Sequence, residues 1–229
     1  MRPWESVFKT INCKCFELSH TYKQVVSTSL NYTHTENLFT AVFTPKGQAI
    51  VVSQDNYGRS NQLTFSANAQ LKLAKWWMAI PYLELDYGHY TGNFPAQKID
   101  INATTFLANI TNQFTFKKGW SAELSGFYRT KGIEGQIVVN PLGQLNAGLQ
   151  KQLLKNKLTA KLNIRDILNT MQPSGYLKIT NTDASFSQQR DNRTITISLS
   201  YRFGKPIKRH SKRKTGGAGD EQNRIKGGN

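Results

Sequence analysis

The chain has 229 residues, 38% of them hydrophobic, and a formal net charge of +16. That length suits one large β domain or two small ones, and the absence of any run of roughly 18 apolar residues excludes a membrane-spanning helix. The low apolar share fits a fold in which apolar residues take only alternate positions, and the charge points to an anionic membrane surface or a nucleic acid as partner.

Residues 1–20 carry no clean period and are left unassigned. They lack the apolar stretch of a signal peptide, so an export signal is not expected in this chain. Cys13 and Cys15 are the only cysteines, too few ligands for a zinc site, so no metal and no cofactor is expected. Alternation begins at Tyr22. Val26, Thr28, Leu30 and Tyr32 share one face of a strand and Ser27, Ser29, Asn31 and Thr33 the other, because side chains repeat with period two. Residues 36–59 hold Pro45-Lys46-Gly47 and Asn56-Tyr57-Gly58 and predict a long loop, with strand-like stretches at Phe39–Phe43 and Ala49–Val52.

From Asn61 to Ala74, Leu63, Phe65, Ala67, Ala69, Leu71 and Leu73 oppose Gln62, Thr64, Ser66, Asn68, Gln70 and Lys72. After Lys75-Trp76 comes a strand with Trp77, Ala79, Pro81, Leu83, Leu85 and Tyr87 on one side and Glu84 and Asp86 on the other. Pro81 is a local conflict, since a central strand has no N–H to spare. Residues 91–101 predict a loop. In 102–117, Phe106, Ala108, Ile110, Phe114 and Phe116 oppose Asn109, Thr111, Gln113 and Thr115; in 120–129, Trp120, Ala122, Leu124, Gly126 and Tyr128 oppose Ser121, Glu123, Ser125 and Arg129. A less regular strand is expected over 137–151, kinked at Pro141, then a strand with Leu158, Ala160, Leu162 and Ile164 on one face. Residues 170–191 predict a long polar loop with extended chain around 176–180. The last strand is TITISLSYRF, 194–203.

The fold class is therefore all-β: an antiparallel up-and-down meander of about eight strands. The links near 75, 118 and 152–156 are tight; of the opposite set, those after 35, 90 and 168 are long and the one at 132–135 is short. Tight turns at one end and long loops at the other are the plan of an outer-membrane barrel. Trp76, Trp77 and Trp120 fall at the tight turns, and Tyr201 and Phe203 end the last strand at the same rim, as an aromatic girdle would. The opposite face is polar and would line a lumen. The apolar face has no amphipathic helix or second set of strands to cover it, which leaves membrane lipid as its partner. After Phe203 the sequence turns basic and Gly-rich: eight Lys and Arg against Asp220 and Glu221 give 205–229 a charge of +6, the composition of a disordered tail.

The segments 158–170 (LTAKLNIRDILNT) and 194–205 (TITISLSYRFGK) resemble the C-terminal end of TonB-dependent outer-membrane receptors. The stretches 112–136, 142–157 and 212–229 are similar to an outer-membrane β-barrel family common in Bacteroidetes. The resemblance implies a cell outer membrane location and a role for Tyr201 and Phe203 in the signal read by the barrel assembly machinery. It also implies a full receptor of about 22 strands with an N-terminal plug, neither of which is present in this chain. The expected organisation is an unassigned 1–20, a partial barrel over 21–204 and a basic tail over 205–229. The partial barrel is expected as an open curved sheet, with 22–35 and 192–203 at its edges.

The expected function is that of the C-terminal part of a receptor for uptake of a scarce solute, not competent for transport alone. Its partners would be outer-membrane lipid, the assembly machinery and the remainder of the barrel and plug. Two alternatives are a self-closed eight-stranded barrel with a structural or adhesive role and a soluble basic nucleic-acid-binding β protein. No recognition helix or stacking platform accompanies the basic cluster, so nucleic acid is not expected as a partner. No enzyme is expected: the histidines lack a nucleophile motif, Glu84 and Asp86 have the alternation of lumen-facing acids, and Asp86 and His89 fall on opposite faces.

Overall fold

The computed structural model describes residues 10–47, 49–93, 98–179 and 182–203. The basic tail beyond Phe203 lies outside the described residues. Fourteen strands form in order: β1 (Asn12–Tyr22), β2 (Val26–Lys46), β3 (Ala49–Ala69), β4 (Leu71–Ala74), β5 (Trp77–Asn93), β6 (Lys98–Thr115), β7 (Trp120–Arg129), β8 (Gly132–Glu134), β9 (Ile137–Val139), β10 (Leu142–Leu153), β11 (Leu158–Arg165), β12 (Ser174–Ile179), β13 (Thr182–Ser187) and β14 (Thr194–Tyr201). Ten of them make one antiparallel sheet, β1-β2-β3-β5-β6-β7-β10-β11-β14 with β4 on β5; the other four make a small sheet, β13-β12-β9-β8.

β3 and β4 are one strand with a gap. Asn68 stands opposite Tyr82 and Leu71 opposite Ala79, so the register is the same on both sides of the break. The break falls opposite Ile80 and Pro81. The β5–β6 ladder runs on through Pro81, which faces Ile110. The missing N–H of Pro81 thus costs the wall one short interruption rather than a strand. Gln70, in the gap, donates its N–H to Val25 O at 2.9 Å. Counting β3 and β4 together, the ten strands become nine passes.

The turns after β1, β4, β6 and β10 are tight and lie at one rim. The β1–β2 turn puts Lys23 and Gln24 at φ of 48° and 55°, the β10–β11 turn puts Leu154, Lys155 and Asn156 at 50–67°, and a 3-10 turn at Lys117–Gly119 joins β6 to β7. A row drawn straight across the ladders from the first of these turns, at Val26, passes Ala69, Ile110, Gly126 and Leu145. Leu145 lies eight residues above Leu153, where β10 ends. The rim therefore drops by eight residues over six strand spacings between the first and last of these hairpins. At about 3.3 Å per residue and about 4.8 Å per strand this is a tilt of about 40°, the tilt of a barrel wall.

The wall is open. β1 and β14 do not pair with each other, and every residue of both is exposed. This overturns the self-closed small barrel. The edge on the N-terminal side is also not 22–35 but β1, which starts within the unassigned 1–20, at Asn12. β1 escapes the pattern because only Phe16, Leu18 and Tyr22 mark its outer face, and the turn after it contains no Gly, Pro or Asn.

The long loops are shorter than expected. Residues 36–59 form a continuation of the β2–β3 hairpin, with a bulge at Asn37–Leu38. The Asn56-Tyr57-Gly58 signal marks that irregular stretch and not a turn. The 91–101 loop reduces to residues 94–97, which lie outside the described residues. The strand expected over 137–151 is two strands in different sheets, β9 and β10, divided at Asn140-Pro141. Within 170–191, β12 and β13 form a hairpin that pairs with β9.

The small sheet stands at the loop end, against β2 and β6. A Cβ added to Gly135 would stand 2.8 Å from Thr40 Oγ1, and one on Gly132 3.0 Å from Thr105 Oγ1; glycine permits these close approaches. Gln136 Oε1 accepts the Phe43 N–H at 2.7 Å. Four of the six buried hydrophobic residues, Val42, Ile99, Val139 and Leu177, belong to this end of the molecule. The second set of strands therefore exists, but it packs on the concave face and leaves the apolar face bare. Because Gln136 is buried, Gln136→Ala should leave the Phe43 amide without an acceptor at a cost of about 1–2 kcal/mol. The expected outcome is faster amide exchange at Phe43 and its neighbours, with exchange in β6 and β7 unchanged.

Candidate functional site

Register carries the alternation of single strands into two continuous surfaces. Leu18, Leu30, Phe65, Leu85 and Phe106 lie in one row across β1, β2, β3, β5 and β6. Trp77, Phe114, Ala122, Leu149, Leu162 and Ile197 form another from β5 to β14. These outward side chains are open to the surroundings: Leu18 is 72% exposed and Ile197 74%. A continuous apolar belt of this extent is not a stable water-facing surface.

The belt has two limits. At the tight-turn rim, Trp76, Trp77, Phe114 and Phe116 stack with ring centroids 6.0–6.3 Å apart. Trp120 lies under the Lys151 ammonium at 4.6 Å, and Lys151 also donates to Lys118 O. Tyr201 and Phe203 meet edge to face at 4.6 Å, level with the β10–β11 turn, since Arg202 N–H donates to Lys157 O. The five aromatics singled out from the sequence thus stand at one rim, in three separate groups. Phe114 and Phe116 complete the largest group; their alternation marked the outward face but gave no sign of their height.

At the other limit the outward face turns polar. Tyr32 OH donates to Asn61 Oδ1 and Tyr87 OH to Asn102 Oδ1, both at 3.1 Å. Next to them His34 bonds Asn61 at 2.7 Å and His89 bonds Asp100 at 2.8 Å. Tyr87 lies ten residues along β5 from Trp77. At about 3.3 Å per residue and about 40° of tilt this length spans about 25 Å, the height of the apolar band of an outer-membrane barrel.

The concave face is hydrogen-bonded and polar. Ser29 and Ser66 share a bond of 2.8 Å, Thr64 donates to Asp86, and Tyr82 donates to Glu84. Gln62 Nε2 donates to Tyr90 OH at 2.8 Å. Burial pushes the Tyr90 phenol above its ordinary pKa, so it stays neutral as a donor and acceptor. Arg129 reaches Glu134 at 3.0 Å, tying β7 to the small sheet. Glu84 and Asp86 are each held by a neighbouring hydroxyl, while His89 bonds Asp100 on the outward face, so the three make no catalytic set. Gln113, Glu123, Gln150, Lys161 and Asn163 line a concave groove of about 430 Å³, a mixed-charge wall suited to a hydrated passage.

Asp166 is a residue the alternation did not single out. It is fully buried and its two carboxylate oxygens accept the N–H groups of Thr170 and Met171. The segment after β11 then runs along β10, with Ile167 N–H on Leu145 O and Thr170 Oγ1 on Gly143 O. It covers the part of β10 that β11 is too short to reach. In the folded chain Asp166 and Asn169 both take positive φ, and in the sequence this stretch shows only that alternation stops.

A family model described as the outer membrane protein beta-barrel family matches residues 13–201. No curated protein and no solved structure matches the chain. The two faces make opposite demands on a substitution. Leu83→Arg, near mid-height on the outward face, should destabilise the folded chain in lipid by about 2–4 kcal/mol, and Asn109→Arg, at similar height on the concave face, by much less. Urea titration of the two variants in phospholipid vesicles measures the difference.

Proposed function

The chain belongs to the outer membrane protein β-barrel family and resides in the cell outer membrane, and on that premise we propose that it is the C-terminal part of a larger receptor-type barrel that takes up a scarce solute. What supports this reading is the direction of its two free edges. Eight successive antiparallel pairings lead from β1 to β14, so the two edges run the same way. Nine passes can close on themselves only through a parallel seam, and bacterial single-chain barrels have an even number of strands, all antiparallel. An odd number of further strands closes the wall with every neighbour antiparallel.

The concave wall and the small sheet at its loop end then face a wide interior, in which a plug and a solute find room. Outer-membrane lipid covers the belt, and the barrel assembly machinery reads the last strand at Tyr201 and Phe203. Glu84 and Asp86 serve hydration and selectivity in that interior, not catalysis.

The coding DNA immediately upstream of Met1 tests the receptor reading. The expected result is a plug and an odd number of amphipathic strands, in frame or separated by a frameshift; unrelated sequence there overturns it. The role of the last strand is tested separately. Tyr201→Ala combined with Phe203→Ala should lower the yield of membrane-inserted, urea-resistant chain several-fold, while Phe186→Ala in the small sheet should not.

A further inference from the structure

The outward wall carries an open, shallow recess. Its floor is the stretch of β6, β7 and β10 that holds Ala108 and Ile110, then Gly126, then Gly143. Ladder register puts Ala108 beside Tyr128 and Tyr128 beside Gly143, with Ile110 beside Gly126. Gly126 and Gly143, on the outward side of adjacent strands, add no side chain of their own there, so Leu145 and Tyr128 lean over them, each 3.3 Å from where a Cβ would stand. Tyr128 and Leu168, half or more exposed, form the raised walls. The space between them is about 810 Å³, the size of a small-molecule site.

The position of the recess decides what fills it. Tyr128 stands beside Ala108 and Leu83 in the row just below the one that holds Leu85 and Phe106, and Leu124 lies four residues above the Trp120 rim. The recess therefore sits within the apolar belt, on the half nearer the long loops, which in outer-membrane barrels is the extracellular half. Water is excluded at that depth. The end nearer the loops is polar, formed by Asn169, Thr170 and Gln172, whereas the floor and walls are mostly apolar, with Asn112, bonded to Trp77, at the opposite end.

We infer that this recess holds one acyl chain of an outer-leaflet lipid, with the chain along the Gly126–Gly143 floor and its headgroup toward Asn169 and Thr170. No lysine or arginine lines the recess, so recognition is of the hydrocarbon and not of headgroup charge. The segment 166–172, fixed by Asp166, supplies one wall, which gives that buried carboxylate a role in shaping the site. The inference depends on the membrane location alone and stands whether or not the chain is part of a receptor.

The full chain reconstituted in phosphatidylcholine vesicles carrying nitroxide-labelled lipid tests it. Electron spin resonance counts motionally restricted lipids per chain. Ala108→Phe fills the floor and should remove one restricted lipid; Ala122→Phe, on the same face outside the recess, should remove none. Leu168→Ser lowers the wall without adding bulk and should also lose it. Labelled phosphatidylglycerol in place of labelled phosphatidylcholine should give the same count. An unchanged count in both Ala108→Phe and Leu168→Ser, or an equal loss in Ala122→Phe, overturns the proposal, and a count that follows headgroup charge overturns the assignment to the acyl chain.

Discussion

In hydrocarbon a peptide N–H or C=O has no solvent partner, and each one left open costs several kcal/mol. The rest of this structure depends on that constraint. It requires ladders without gaps across the belt, and ladders without gaps fix register. Register in turn carries the two-residue period of each strand into rows that run across many strands, so that Leu18 and Phe106, four strands apart, lie in one row. Even the exceptions obey it. The interruption at Pro81 is confined to one side of β5, and the upper part of β10, left uncovered by the short β11, is bonded instead by Ile167 and Thr170.

The same constraint explains what could be read from the sequence. Within the belt, lipid on one side and polar groups on the other impose strict alternation, and β3, β5, β6, β7, β11 and β14 were legible for that reason. Beyond the tyrosine row both faces are polar or packed, and alternation loses its cause. The upper halves of β2 and β3 therefore looked like a loop although their ladder resumes beyond the bulge at Asn37–Leu38. The small sheet was hidden for a related reason: its strands have three to six residues each, too few for a period to show. β1 has an outer face but only a few apolar residues on it, and its turn takes left-handed conformations at Lys23 and Gln24, which the residue types there do not signal.

The site was legible to a similar degree. Aromatic residues at tight turns could be placed at one rim from spacing alone, because turn position fixes height. Asp166 could not. A single acid among polar residues has no pattern, and its importance comes from two backbone N–H groups that only the folded chain brings to it. The recess beside it was invisible for the opposite reason: Gly126 and Gly143 belong to different strands, and only register makes them neighbours.

The shared direction of β1 and β14 has a consequence for crowding. Exposed strand edges are ordinarily templates for association with like molecules. Copies of this chain inserted into one membrane all point the same way, so any edge of one copy meets any edge of another in parallel, the weaker pairing. Strand polarity thus acts as a filter: it disfavours self-assembly while leaving both edges receptive to strands that run the other way.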